Sequence, residues 1–189
     1  KLNDVQASKF IHWNELLQRI NLSKLNNQQK NLITLYTKFS PRRAEYRFLK
    51  VIQPTKKKKK KNLDPSFNYL VLNKNGKPIR LVFNKYKTSK TYGTQSFDID
   101  FPLFLDDVKP DSFLFKDSNN NGYEQASFST IVKDTFALST GIPLTINDLR
   151  HIYVSFIHSN NSLSDLEREK YAKMMAHSLN QSREYRKIF

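Results

Sequence analysis

Cysteine is absent from the 189 residues, and glycine occurs only four times. Without cysteine, the protein has no disulfide, no thiolate nucleophile and no cysteine-ligated zinc. No apolar run is long enough to cross a bilayer, and the first residues do not form a signal-peptide pattern, so we predict no membrane-embedded segment. Because the first residue is Lys1 rather than Met, we expect the chain to be a fragment of a longer protein.

Acidic residues are scarce in the first part of the chain. Residues 1–110 contain 23 Lys and Arg against 8 Asp and Glu, whereas residues 111–189 contain 9 of each, so the first part carries the whole net charge of +15. Residues 50–90 contain 13 basic residues and one acid, Asp64. This concentrated positive charge favours a polyanionic partner. An anionic membrane is the alternative, but the lysine run lacks the apolar face of a membrane-surface helix, so nucleic acid is preferred.

The spacing of apolar residues predicts a mainly helical chain. Helices are expected over residues 4–21 and 26–39. Ser40 followed by Pro41 is typical of an N-cap and a first-turn residue, so a third helix is predicted to begin there. From residue 125 onwards, Gly141 indicates a helix end and two capping-box pairs indicate helix starts. These signals predict helices over 125–141, 145–159 and from Ser164 onwards.

The apolar stripes divide the faces of the last two helices. In the first of them, Leu149, Ile152, Tyr153, Phe156 and Ile157 are predicted to be buried, and Asn147, Arg150, His151 and Val154 share the adjacent face. In the second, the predicted buried residues are Leu166, Tyr171, Met174 and Met175.

Residues 50–100 have the pattern of a small, basic β-sheet. Asn75-Gly76 lies between two β-rich runs and predicts a two-residue hairpin. Gly93 marks a second turn before a third strand, so we expect three antiparallel strands. Residues 55–62 form a lysine-rich tether within this region. The fold class predicted for residues 1–189, as a single domain, is α+β and mainly α.

Metal-free attack on a DNA phosphodiester requires three kinds of group. Cationic donors must stabilise the charge on the nonbridging oxygens, and arginine suits this because its planar fork holds two oxygens and stays charged. A tyrosine can act as the nucleophile by forming a covalent intermediate. The departing 5′-oxygen needs a proton, which a lysine can deliver. Candidates for all three occur in four motifs: Arg42, Arg43 and Glu45 in "PRRAEY", Lys87 and Lys90 in "YKTSK", Asn147, Arg150 and His151 in "NDLRH", and His177 and Tyr185 in "MAHSLNQSREY".

The order and spacing of these motifs resemble the catalytic domain of the tyrosine recombinases, the phage-integrase family, over residues 32–189. That family has an Arg-x-x-Glu box, a lysine in a β-hairpin, a His-x-x-Arg box, a Gly-His box and then a nucleophilic tyrosine. The resemblance implies a site-specific recombinase or integrase that cleaves and rejoins DNA through a 3′-phosphotyrosine, without metal or cofactor. It also implies a helical catalytic domain that lacks the family's N-terminal core-binding domain here.

The resemblance further implies a role for each candidate. Tyr185 is the expected nucleophile, Arg42, Arg150 and His177 stabilise the transition state with help from Asn147, and Lys87 protonates the leaving oxygen. Glu45 braces the first arginine, and His151 is a supporting residue. Arg43 and Lys90 are the alternatives to Arg42 and Lys87. The expected DNA-binding residues are Arg43, Lys85, Lys90 and the run Lys56, Lys57, Lys58, Lys59, Lys60 and Lys61.

The motifs depart from the family pattern at two positions. Asn147 stands where the first histidine of the His-x-x-Arg box is usual; it can donate a hydrogen bond but cannot shuttle a proton. Ala176 stands where glycine is usual. The Lys- and Asn-rich composition and the "PRR" motif resemble integrases of large DNA viruses and eukaryotic mobile elements. A nuclear or viral-replication location follows in those cases, and a cytoplasmic one otherwise.

Several alternatives stay open. The same chemistry serves type IB topoisomerases, and a non-catalytic DNA-binding domain derived from a recombinase is consistent with Asn147.

Tyr171 and Tyr153 are rivals of Tyr185 as the nucleophile but lie on apolar stripes, which indicates core positions. Two acidic pairs suggest metal-dependent nuclease or transposase chemistry: Asp98 with Asp100, and Asp106 with Asp107. No third carboxylate is suitably placed to complete such a site. The expected partners are double-stranded DNA and further copies of the chain, as dimer to tetramer; no membrane partner is expected.

Overall fold

The computed structural model describes residues 11–54 and 63–176. Its internal contacts group the chain into two compact units. The first, which we call the helical unit, contains residues up to Arg43 and from Ser129 onwards; the second, the sheet unit, contains Ala44–Phe128. The predicted class, α+β, is confirmed. No helix within the described residues is long and apolar enough to span a membrane.

The helical unit begins with α1 (Trp13–Arg19) and α2 (Asn27–Thr34), and α2 continues into a π-helical turn at Leu35–Phe39. The side chain of Asn26 accepts a hydrogen bond from the Gln29 amide, and the Gln29 side chain accepts one from the Asn26 amide, so a capping box fixes the start of α2. The prediction of a helix over 26–39 is therefore confirmed, with a change of helical type at its end. The first predicted helix is confirmed over Trp13–Arg19, and its residues 4–10 lie outside the described part.

Aromatic packing holds the core of the helical unit together. The ring of Trp13 on α1 contacts Tyr153 edge-on, with 4.7 Å between ring centroids, and lies 6.4 Å from Phe156. Tyr36 and Phe136 form a second edge-to-face pair at 6.4 Å. Each such pair contributes about 0.5–1.5 kcal/mol beyond the burial of its apolar area.

Three further helices follow the sheet along the chain: α4 (Gln125–Thr140), α5 (Ile146–Ser159) and α6 (Asp165–Met174). All three predictions are confirmed within the described residues. Gly141 has φ +79°, a left-handed conformation that ends α4 as glycine permits. Thr145 and Asp148 form the predicted capping box of α5, and Ser164 and Glu167 form that of α6.

The sheet unit contains a four-stranded sheet in the order β1 (Leu49–Ile52), β2 (Asn68–Leu72), β3 (Pro78–Phe83) and β4 (Gln95–Asp98), with the short helix α3 (Ser89–Tyr92) between the last two strands. The predicted antiparallel pairs β2–β3 and β3–β4 are present. The prediction of three strands differs from the structure because β1 joins the edge of the sheet parallel to β2. Residues 112 and 113 cover the outer edge of β1. Phe113 forms an antiparallel bridge with Lys50, and the Ser112 carbonyl accepts a hydrogen bond from the Val51 amide.

The helix predicted to begin at Ser40 is wrong in its start and length. Ser40 is extended, with φ −165° and ψ 150°, and its hydroxyl donates to the Met174 carbonyl instead of capping a helix. A 3₁₀ helix of five residues begins only at Ala44, and the β-branched sequence after it enters β1. Arg42 and Arg43 therefore precede a short 3₁₀ helix and do not lie in the first turn of an α-helix.

Two predicted faces also differ from the structure. Arg150 and Val154, assigned to the polar face of α5, are buried, because long-range packing covers that side of the helix as well. Leu166, assigned to the buried stripe of α6, is 77% exposed; burial instead occurs at the other end of this helix, at Ala172 and at Met175, which directly follows it.

Thr145 provides a test of the local signal that starts α5. Its hydroxyl accepts from the Asp148 amide, and Asp148 accepts from the Thr145 amide in return. We expect Thr145→Ala to lower the free energy of unfolding by about 1 kcal/mol, because one orphan N–H at the helix start loses its acceptor. Chemical denaturation measures the change. Thr145→Ser keeps the hydroxyl and is the control; an equal loss in both variants would contradict the capping role.

Candidate functional site

Two buried arginines of the helical unit each donate to a backbone carbonyl that is distant in the sequence. Arg150, on α5, donates from Nη1 to the Pro41 carbonyl at 2.9 Å. Arg42, which directly follows Pro41, donates from Nη1 to the Met174 carbonyl at 2.7 Å. The Ser40 hydroxyl donates to the same carbonyl at 3.0 Å. The guanidinium of Arg150 thus bonds the backbone of the residue directly before Arg42, although the two arginines are 108 positions apart in the sequence.

Burial makes this arrangement unusual. Arg42 has no exposed surface and Arg150 is 2% exposed, and they are the two largest fully buried side chains of the described residues. A guanidinium is rarely buried unless it is hydrogen-bonded, because its desolvation is costly. Apolar periodicity alone does not predict the burial of these two arginines.

The remaining candidates of the helical unit lie at different depths. Arg43 is half-buried, and its carbonyl accepts from the Tyr36 hydroxyl at 3.0 Å. Asn147 is exposed in the first turn of α5, whereas His151 is half-buried one residue after Arg150. Asn147 is therefore accessible to a ligand.

The predicted nucleophile and its histidine, Tyr185 and His177, lie outside the described residues. The chain nevertheless reaches Arg42 shortly before them, since Met174, which accepts from Arg42, precedes His177 by three positions. Of the two rival tyrosines, Tyr153 is in the core as predicted, whereas Tyr171 is only half-buried. Tyr153 is buried, and this burial raises the pKa of its phenol well above the usual range. Tyr171 is half-buried and packs edge-on against it at 6.2 Å.

The predicted lysines belong to the sheet unit. Lys85, Lys87 and Lys90 are all exposed in the connection between β3 and β4. The Nζ atom of Lys85 lies 4.0 Å from the centre of the Phe48 ring, whose other cationic neighbour is Arg47 at 3.9 Å. Glu45 is also in this unit and is buried, with 4% exposure. Its role as a brace for Arg42 stays a prediction.

A buried asparagine fixes the start of this connection. Asn68 has no exposed surface, and its carboxamide oxygen accepts from the amides of Asn84 and Lys85 at 2.9 and 2.8 Å. Its Nδ2 donates to the carbonyls of Glu45 and Lys85 at 2.9 and 3.0 Å. All four hydrogen-bonding positions of the amide are thereby used. One side chain holds the backbone that leads to Lys87.

Sequence reasoning missed two lysines in the tight hairpin between β2 and β3. Lys74 and Lys77 are exposed in its turn, which Asn73 organises by accepting from the amides of Asn75 and Lys77. Gly76 has φ +79°, but the turn is not the predicted two-residue one, because the Asn73 amide donates to the Lys77 carbonyl and three residues lie between them. The Asn75-Gly76 signal had located this hairpin, and the lysines on either side of it fit the expectation of a lysine in a β-hairpin at least as well as Lys87 does.

One face of the sheet forms a groove of about 920 Å³ lined by residues of all four strands, among them Lys50, Tyr69, Arg80 and Ser96. Lys50 places Nζ 3.6 Å from the centre of the Phe67 ring. Pro54 and Leu63, the residues on either side of 55–62, also line the groove. The run Lys56–Lys61 itself lies outside the described residues.

The acidic residues offer no metal site within the described ranges. Asp98 forms an ion pair of 2.6 Å with Arg80 on the neighbouring strand. No group of three His, Asp or Glu side chains in residues 11–54 and 63–176 is arranged to hold an ion.

Comparison with known proteins identifies no relative of this chain. No protein-family model, no curated protein and no solved structure matches the chain significantly. The arrangement of its own residues is therefore the basis for any functional proposal.

Asn68 provides a test of how the lysine-bearing connection is held. We expect Asn68→Leu to lower the free energy of unfolding by at least about 2 kcal/mol, because several backbone groups lose their partner at a buried position. Urea denaturation measures the change. Asn119→Leu, at an exposed asparagine of the same unit, is the matched control and should change stability by less than about 0.5 kcal/mol. Similar losses in the two variants would refute the role of Asn68.

Proposed function

We propose that this protein cleaves and rejoins DNA strands through a covalent phosphotyrosine, as a recombinase or integrase does. The observation that carries the proposal is that both arginines are buried, and that the guanidinium of Arg150 bonds the Pro41 carbonyl, directly before Arg42 in the chain. Two fixed guanidinium groups match the charge that develops on the nonbridging oxygens of a phosphodiester under attack. The net charge of +15 supports DNA as the substrate.

In the proposed reaction, Tyr185 attacks the phosphorus and becomes linked to the 3′ side of the break, and the 5′-oxygen leaves. Arg42, Arg150 and His177 stabilise the transition state, with Asn147 as an additional donor. The energy of the broken bond is retained in the phosphotyrosine, so the 5′-hydroxyl of another strand can attack it without ATP. Exchange between two DNA sites requires several copies of the chain on DNA.

A lysine of the sheet unit supplies the proton to the leaving oxygen. Lys87, with Lys90 as its alternative, is the candidate from the motif order. Lys74 and Lys77 are the candidates from the position of the tight hairpin. All four are exposed, as a group that reaches a DNA backbone must be.

The burial of the arginines places a condition on the proposal. Because Arg42 and Arg150 have almost no exposed surface, a phosphodiester reaches them only when the residues around them move aside. The bond from Arg42 to the Met174 carbonyl is one that must be exchanged for a bond to phosphate. The proposed activity thus requires a rearrangement at the carboxyl end of α6 when DNA binds.

A nicked suicide substrate tests the chemistry directly. When the nick lets the short 5′-hydroxyl fragment diffuse away, rejoining stops, and we expect a protein–DNA adduct that survives denaturant. Tyr185→Phe should abolish the adduct because the phenol oxygen is the attacking atom. Arg42→Lys and Arg150→Lys should slow its formation by about 10²- to 10³-fold, the usual effect of removing a transition-state donor. Gel electrophoresis in detergent measures the adduct.

The matched control for the nucleophile is Tyr92→Phe, at an exposed tyrosine of the sheet unit. It should form the adduct at the normal rate. DNA binding without an adduct in the parent protein would refute strand cleavage and favour a DNA-binding module, the alternative to which Asn147 points. An adduct together with relaxation of supercoils, but without exchange between two DNA molecules, would favour a topoisomerase.

The lysine run provides a separate test of DNA binding. Replacing Lys56–Lys61 by serine should reduce the slope of log K against log salt by up to about 0.9 for each phosphate that the run neutralises, because fewer counterions are released. Titrations at several salt concentrations measure the slope. Replacement of the same six residues by arginine keeps the charge and should leave the slope unchanged. An unaltered slope in the serine variant would show that the run does not bind DNA.

A further inference from the structure

We propose that the groove on one face of the sheet binds an unpaired nucleotide of a DNA strand, with the base against the apolar floor of the groove. All residues that line the groove belong to the sheet unit. The site is separate from the proposed strand cleavage and does not depend on it. It gives a use to a surface that no sequence motif singles out.

The two faces of the sheet differ in their burial. On one face, Leu49 and Val51 of β1, Leu70 of β2 and Leu81 of β3 have no exposed surface, so this face lies in the core. Side chains alternate between the two faces along each strand. The residues between these therefore lie on the opposite face, which forms the groove and has the buried ring of Tyr69 in its floor.

The pairing of the strands aligns the groove residues in two rows. In the first row, Tyr69 pairs with Lys50 on one side and with Val82 on the other, and Val82 in turn pairs with Ser96. The second row contains Ile52, Val71 and Arg80. With about 4.8 Å between neighbouring strands, the first row extends over about 14 Å. Apolar side chains thus occupy the middle of this row, and polar ones lie at its ends.

Hydrogen bonds order the lining of the groove. The Tyr69 hydroxyl donates to the Asp64 carbonyl at 3.0 Å. Gln53, which also lines the groove, donates from Nε2 to the carbonyls of Asn73 and Lys74 at 3.0 and 3.2 Å. Because these side chains are already ordered, less conformational entropy is lost when a ligand binds.

The polar side chains around the groove include both donors and acceptors. Lys50 and Arg80 are cationic, whereas Asp64 and Asp111 are anionic, so the charges of the lining cancel. The edge of a nucleobase also carries both donors and acceptors. A chain of phosphates only accepts hydrogen bonds and is repelled by carboxylates. The groove therefore suits the base of a nucleotide better than it suits the phosphate backbone.

Lys50 presents its charge at one end of the groove. Its Nζ atom lies 3.6 Å from the centre of the Phe67 ring and 5.0 Å from that of Phe113. Among residues 11–54 and 63–176 it forms no ion pair. The pKa of Asp64 is lowered chiefly by hydrogen bonds from Ser66, and Lys50 contributes less. A base that enters the groove can thus place its π-face against a cation that an aromatic ring already holds.

The sequence beside the groove supplies positive charge for the phosphates. Pro54 and Leu63 both line the groove, and residues 56–61, between them in the sequence, are all lysine. Basic residues next to an aromatic and apolar surface are the usual combination in proteins that bind single strands. The bases of a duplex are stacked on each other and cannot lie on such a surface. An unpaired nucleotide is therefore the occupant that fits both the groove and the charge beside it.

Removing the bases while keeping the phosphates tests the site. A labelled thymidine strand of about eight nucleotides is compared with an abasic deoxyribose-phosphate strand of the same length, by fluorescence anisotropy with the whole protein. We expect the thymidine strand to bind about tenfold more tightly, the effect of one stacked base. The slopes of log K against log salt should be equal, because the two strands carry the same phosphates.

Val82→Lys separates a bound base from general electrostatic attraction. The added cation strengthens binding if only charge matters. Because its side chain fills the middle of the groove, we instead expect the roughly tenfold preference for the thymidine strand to be lost. Ile79→Lys is the matched control, since Ile79 is on the same strand, is 37% exposed and does not line the groove. It should keep the preference, and thermal melting shows whether both variants are folded.

Photocrosslinking in the parent protein gives a measurement that needs no variant. On irradiation, 5-iodouracil in a DNA strand reacts with an aromatic side chain next to the base. We expect the crosslinked peptide to contain Phe67 or Tyr69, which line the groove. Mass spectrometry of the digested adduct identifies the peptide.

Each other outcome would overturn the inference. Equal affinities for the thymidine and abasic strands would show that no base is bound. A preference that survives Val82→Lys, or a crosslink only to peptides without a groove residue, would place the base elsewhere. If thymidine monophosphate displaces the strand at concentrations near the dissociation constant of the strand itself, the ligand is a free nucleotide and not part of a strand. The proposed strand cleavage stands or falls separately, by the adduct with the suicide substrate.

Discussion

The arrangement of the helical unit depends on where two buried guanidinium groups find their acceptors. A cation removed from water must be hydrogen-bonded, since the cost of desolvation is otherwise not offset. Arg150 uses the Pro41 carbonyl, 109 positions away, and Arg42 uses the Met174 carbonyl, 132 positions away. These bonds tie α5, the end of α6 and residues 40–42 together. The donors that hold this part of the fold are also the donors that we propose for phosphate, so structure and proposed function share the same atoms.

In the sheet unit, amide side chains have a comparable task. Asn68 holds the connection that carries Lys85 and Lys87, and Gln53 holds the hairpin that carries Lys74. A lysine side chain has many rotamers and remains hydrated, so neighbouring groups order it chiefly through its backbone. Neutral amides suit this purpose because they donate and accept at once without adding charge to a strongly basic region.

The sequence-based predictions were accurate where the interacting residues are close in the sequence and failed where they are far apart. The capping boxes at Thr145 and Ser164 join residues three positions apart, and both were predicted. The Asn75-Gly76 turn is equally local. The prediction for Ser40 was wrong because its hydroxyl bonds a carbonyl 134 positions away, which competes successfully with the local cap. The parallel strand β1 was missed for a similar reason, as its partner strand begins 16 positions after β1 ends.

The sequence by itself determined the helices after residue 125, the hairpin, the basic character of residues 50–90 and the arginine motifs, because composition, turn chemistry and capping act over a few residues. Only the tertiary structure decided that Arg42 and Arg150 are buried, that Leu166 is exposed, and that Gln53 contacts the turn bearing Lys74. Each of these depends on which distant backbone group lies opposite a side chain. That choice is set by packing across the chain, and no local pattern encodes it.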